Sequence, residues 1–137
     1  MTLPGGEFGD FASYVMQART RLSVYSEGEL KYLIGRYGSL YTEVLRWAER
    51  DPSYRDKVMP DEFWIYAEAA YAVYGEMVLT LSDFLWRRAR WARLRDLPEP
   101  VIQRVAEILA QHLKWSKPET QQQIKSFKKE LEAHRLS

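Results

Sequence analysis

Any chemistry in this chain has to come from histidines, carboxylates and cations, because its 137 residues include no cysteine. That absence excludes disulfides, thiolate metal sites and thiol nucleophiles. Only two histidines occur, His112 and His134, and neither has a partner at the spacing that metal ligation requires. No glycine-rich fingerprint follows a strand to hold a dinucleotide, and no Gly-Lys-Ser/Thr loop could cradle phosphates. No Gly-x-Ser-x-Gly elbow presents a nucleophile. Carboxylates are abundant, but two of them act as acid and base only in a cleft that perturbs their pKa values. The sequence therefore assigns no catalytic, cofactor-binding or metal-binding residue.

One local concentration stands out: Arg87, Arg88, Arg90, Arg93 and Arg95, with Trp86 and Trp91 interleaved. Arginine with tryptophan suits an anion-binding or membrane-surface helix, since both headgroups and stacked bases offer partners to that pair. The alternative is structural, with guanidiniums paired to nearby carboxylates and their stems packed on neighbours. Spacing favours the structural alternative. Leu81, Phe84, Leu85 and Arg88 share one face of a regular helix, so Arg88 is expected to point inward. A buried guanidinium needs a carboxylate, with Glu76 the first candidate and Glu68 the second. Arg87 stands four residues after Asp83, in the favourable acid-first order. The aromatic runs Phe63-Trp64-Ile65-Tyr66 and Tyr71 to Tyr74 could line a pocket, but such stripes are more often core or interdomain surface.

The elements that would position these residues read as helices. Leu3-Pro4-Gly5-Gly6 is a turn or linker, and Phe8, Phe11, Val15, Ala18 and Leu22 recur at helical spacing from about Asp10. Ser26 caps a helix with apolar Leu30, Leu33, Ile34 and Tyr37, which Gly38 ends. Ser39 opens the next, with Leu40, Val44, Trp47 and Ala48 on one side, and Asp51-Pro52-Ser53 stops it. A polar loop is expected up to Pro60. Period alone leaves Phe63-Trp64-Ile65 either helical or extended. The alanine-rich run from Tyr66 to about Met77 favours helix. Thr80-Leu81-Ser82-Asp83 has the form of a capping box, which predicts a break near Leu79–Thr80 and a new helix to about Leu94. Asp96 and Pro98 open a helix striped by Val101, Ile102, Val105, Ile108, Leu109 and Leu113. Ser116-Lys117-Pro118-Glu119 is a second capping box before a polar terminal helix with Ile124, Phe127 and Leu131 on one face. The expected fold is all-α, a compact single-domain bundle of about six or seven helices.

Composition agrees with a globular class, at 46% hydrophobic and 28% charged residues. A net charge of +1 argues against a dedicated nucleic-acid binder, which needs excess positive charge. No uninterrupted apolar stretch is long enough to span a bilayer, and no signal peptide is recognised, so a cytoplasmic location is expected.

With the segments placed, a pattern emerges. Ala67-Glu68, Tyr71-Ala72-Val73, Glu76-Met77, Thr80-Leu81, Asp83, Leu85 and Arg87-Arg88 form a run that resembles the C-terminal helical domain of FAD-dependent glycerol-3-phosphate dehydrogenases and alpha-glycerophosphate oxidases. Leu3-Pro4-Gly5-Gly6, Arg36-Tyr37-Gly38-Ser39 and Leu113-Lys114-Trp115-Ser116 agree in order. The departures are Ala69 for Val, Gly75 for a basic residue or His, Val78 for Ala, Ser82 for Glu and Lys114 for Gly. The resemblance implies a full enzyme that oxidises sn-glycerol 3-phosphate to dihydroxyacetone phosphate. Its FAD and its substrate would be held by a larger upstream part. Residues 1–8 would then be a linker from that missing catalytic region, and residues 9–137 a single helical domain. The matching residues Glu68, Glu76, Asp83, Arg87 and Arg88 are expected to form a structural ion-pair network. The implied partner is the FAD-binding part of the same polypeptide, with no nucleic acid, weak self-association, and the full enzyme peripheral on the inner membrane face. Two candidate docking surfaces are Phe8 with Phe11, and the Phe63-Trp64-Tyr66 run. The alternatives are a free-standing helical adaptor, or a peripheral membrane or anion-binding module built on the Arg87–Arg95 helix.

Overall fold

A computed structural model of the chain describes residues 25–136. The linker expected at residues 1–8, the helix expected from Asp10 to Leu22 and the Phe8–Phe11 surface lie outside the described residues. The fold is all-α. Among the described residues there are six α-helices, and extended pairing is limited to an isolated antiparallel bridge between Lys57 and Ile65. The chain divides into two compact units, Met1–Ile65 and Tyr66–Ser137.

In the first unit, helix α1 (Glu27–Tyr37) starts where expected, because the Ser26 hydroxyl accepts the Glu29 N–H at 3.1 Å. Leu30, Leu33 and Ile34 are fully buried. Gly38 ends the helix at φ 61°, a conformation that glycine adopts without a steric penalty. A 3₁₀ turn, Gly38–Leu40, then precedes α2 (Tyr41–Arg50). Leu40 thus falls in that turn and not in the helix. Tyr41, Val44, Leu45 and Ala48 face inward, whereas Leu40, expected inside, is 53% exposed. Asp51 caps a second 3₁₀ turn, Pro52–Arg55, by accepting both the Ser53 N–H and its hydroxyl. The stretch up to Pro60 is irregular but not simply polar, since Tyr54, Val58 and Met59 are buried. The open choice for Phe63-Trp64-Ile65 resolves as extended: the Val58 N–H donates to the Trp64 carbonyl at 2.9 Å beside the Lys57–Ile65 bridge. Trp64 and Tyr66 are buried, so of the aromatic run expected at a docking surface only Phe63 is exposed.

In the second unit, α3 (Ala67–Gly75) buries six residues in a row, Ala67 to Ala72, and packs on α5. Small side chains let a helix bury more than one face. The break predicted near Leu79–Thr80 is present, and the helix already stops at Gly75. Met77 takes φ 57°, and the N–H groups of Glu76 and Val78 both reach the Ala72 carbonyl. The Thr80 hydroxyl then accepts the Asp83 N–H at 3.0 Å, as in a capping box. The reciprocal arm is displaced by one residue, because the Asp83 carboxylate takes the Leu79 N–H at 3.4 Å.

The helix that follows differs from the regular one expected to Leu94. Asp83–Arg88 is π-helical, and the Ala89 N–H donates to Phe84, five residues back, at 2.8 Å. Arg90 is left-handed (φ 64°, ψ 17°), and a separate short helix α4 (Trp91–Leu94) begins after it. Helix α5 (Glu99–Leu113) carries the predicted stripe, with Val101, Ile102, Val105, Ala106, Ile108 and Leu109 buried. Its N-cap is Pro98, and Pro100 sits in the first turn, where a missing N–H costs no bond. Helix α6 (Lys117–Leu136) is capped by the Ser116 hydroxyl, which accepts the Glu119 N–H at 3.2 Å, and it buries Ile124 and Phe127.

Candidate functional site

The five signature residues fall into different environments. Glu68 is fully buried in α3, and Glu76 lies half-buried in the turn after it. Arg87 pairs with Asp83 at 3.3 Å and, more closely, with Glu130 of α6 at 2.8 Å. These pairs are substantially exposed, where each contributes roughly 0–1 kcal/mol. Arg88 is exposed, which corrects the expectation of a buried guanidinium paired to Glu76 or Glu68. The cause is the π turn. It takes in one extra residue, so the position inward of Phe84 and Leu85 is filled by Ala89, which is buried. Placing a methyl there spares the desolvation of a guanidinium, which is large.

The same irregular backbone shapes an open groove of about 760 Å³, whose lining includes Trp86, Arg90, Arg93, Arg95, His134 and Arg135. The Arg93 Nε–H donates to the Trp86 carbonyl at 2.8 Å, and its guanidinium lies 4.8 Å from the Trp86 ring centroid. His134 stacks on the same indole, with centroids 4.4 Å apart and planes 25° apart. Arg135 forms an ion pair with Asp96. Arg90 holds its left-handed conformation although it has a side chain, at a cost of about 1–2 kcal/mol. Trp91, by contrast, is core: it is fully buried and meets Phe84 edge-on at 5.0 Å. A smaller cleft of about 310 Å³ lies between Met77, Val78, Asp83, Arg87 and Arg88.

His112 has a structural setting. Its Nδ1 lies 3.2 Å from the Tyr74 hydroxyl, and the two rings meet edge to face at 5.6 Å. Burial lowers its pKa from the ordinary 6.5, which favours a neutral ring able to accept the hydroxyl proton. Among the described residues, no group of three His, Asp or Glu could hold a metal ion, and no helix is long and apolar enough to cross a membrane.

Sequence reasoning found the Arg–Trp cluster but missed Glu130, His134 and Arg135 as its neighbours. They come from a helix some forty residues further on, and nothing in its polar sequence marks them. What the groove offers chemically is a set of fixed cationic donors beside an aromatic plane.

The chain is similar to glycerol-3-phosphate dehydrogenase 2 of Mycobacterium bovis and of Mycobacterium tuberculosis. The identity is 32% over 111 residues, which cover 79% of this chain and 19% of each relative. It is likewise 32% identical over 108 residues to the mitochondrial glycerol-3-phosphate dehydrogenase SDP6 of Arabidopsis thaliana, covering 78% of this chain and 17% of that one. The chain thus spans about a fifth of the length of these curated relatives. No solved structure matches it significantly. Residues 1–120 match the family described as the C-terminal domain of alpha-glycerophosphate oxidase, and the chain belongs to that family.

Proposed function

We propose that the chain is a non-catalytic C-terminal auxiliary domain of an FAD-dependent glycerol-3-phosphate dehydrogenase, whose whole enzyme oxidises sn-glycerol 3-phosphate to dihydroxyacetone phosphate. The observation that carries this reading is the match of residues 1–120 to a C-terminal domain, together with relatives of which the aligned stretch covers only 19%. The chain's role is structural and interactive, and its partner is the FAD-binding part of the enzyme. The helical build of the described residues supports this division of labour. A flavin dinucleotide is typically held where a strand turns through glycines into a helix. Among the described residues no strand leads into such a turn, which supports a flavin site in the other part of the enzyme. The assembled enzyme works in the cytoplasm, peripheral on the inner membrane face.

The test is direct. The purified chain, incubated with FAD and gel-filtered, should emerge without flavin, and with glycerol 3-phosphate and an artificial acceptor it should reduce no more dye than a protein-free blank. A yellow protein, or turnover above that blank, would overturn the reading.

A further inference from the structure

Three irregular features follow one another along the chain and open onto one groove. The π turn presents Trp86, the left-handed residue presents Arg90, and the short helix α4 presents Arg93. Backbone of this kind gathers at binding sites, where the surroundings hold a conformation that the residue alone would not choose. A glycine would meet φ 64° without strain, yet position 90 carries a guanidinium.

The charges are unbalanced in the same place. Arg90 and Arg93 line the groove, while Asp96 is the one carboxylate among the described residues that do so, and it is already paired with Arg135. Arg93 is fixed by its Nε–H bond to the Trp86 carbonyl and by the indole beneath it, which leaves its two terminal amino groups as donors. Among the described residues, no carboxylate pairs with Arg90 or Arg93. A planar fork already held in place loses little entropy on meeting a tetrahedral oxyanion, and two forks can share the oxygens of a phosphate. His134, stacked on Trp86, walls the groove from α6.

We propose that this groove is a binding site for a phosphate group, gripped by Arg90 and Arg93 beside the Trp86 ring. The inference goes beyond the auxiliary-domain reading and does not depend on it. The phosphate could belong to a small soluble compound or to a lipid headgroup, and the two sources are separable. Inorganic phosphate titrated into the whole chain should shift the Arg93 Nε–H and Trp86 indole N–H resonances. Vesicles of phosphatidylcholine with added phosphatidylglycerol should be bound more than vesicles without it if a headgroup is the ligand.

Two variants decide the matter. Arg90→Gly removes the guanidinium and relieves the left-handed strain, so it should melt no lower than the parent while binding at least about tenfold more weakly. Arg93→Ala should lose a similar factor, and Arg46→Ala, which does not line the groove, should change nothing. Saturable phosphate binding, vesicle binding or both, lost in these variants, supports the site and names its source. Binding of neither probe, or equal binding by Arg90→Gly and the parent, overturns it.

Discussion

The ring of Tyr71 lies on the bare Cα of Gly75, so closely that a Cβ at position 75 would stand 2.3 Å from Cζ and 2.6 Å from the hydroxyl oxygen. Glycine weakens the last turn of α3 by roughly 1 kcal/mol relative to alanine, and close packing of a buried tyrosine offsets that loss. Gly75→Ala should therefore destabilise the parent by about 1 kcal/mol, because overpacking costs about 1–3 kcal/mol against the gain in propensity. In a Tyr71→Leu background the sign should reverse. Urea unfolding of the four proteins of that cycle would expose the coupling, and the same sign in both backgrounds would refute the contact.

Lys114 occupies the left-handed position after α5, at φ 61° and ψ 41°, and both its own N–H and that of Trp115 bond to the Ala110 carbonyl. This is a glycine's position in a Schellman-type cap, which accords with the Gly that the resemblance implies there. Lys114→Gly should raise stability by about 0.5–1 kcal/mol. A lower melting temperature would mean that the lysine side chain contributes more than its backbone strain costs.

The π turn makes a sharp distinction between neighbours. Arg88→Ala should change stability by no more than about 0.5 kcal/mol, whereas Phe84→Ala should cost about 3–5 kcal/mol. A loss of several kcal/mol at Arg88 would restore the buried ion pair that a regular helix implies.

His112 should impose a pH dependence. Its pKa in the fold is below 6.5 because burial disfavours the charged ring, so the unfolded chain takes up the proton first as pH falls. Its contribution is fully present above about pH 6.5, declines as the solution is acidified toward the folded-state pKa, and levels off below it. Between pH 7.5 and pH 5 the parent should lose more thermal stability than His112→Asn. Parallel profiles would show that the ring is as basic in the fold as in water.

Much of the helical order was legible because caps and stripes are local. Ser26, Thr80 and Ser116 each accept the N–H three residues on, as their sequence form predicts. Helix phase was less legible wherever a 3₁₀ or π turn intervened. Leu40 was misplaced because it falls in a 3₁₀ turn and not in the helix, and Arg88 because one extra residue in the π turn moves a side chain across the helix surface. The groove was legible only in half. Trp86, Arg90 and Arg93 lie close together in sequence, but His134 and Arg135 reach them through tertiary packing that no short-range pattern encodes.

The measurement that bears most directly on the central claim is association with the flavin-containing part of a glycerol-3-phosphate dehydrogenase, supplied as a separate polypeptide lacking its own C-terminal domain. Sedimentation velocity at rising concentration, following flavin absorbance, should show the flavoprotein moving faster when this chain is present, with weak self-association of the chain alone. A chain that stays monomeric and leaves the flavoprotein's sedimentation unchanged would contradict the account and favour a free-standing adaptor.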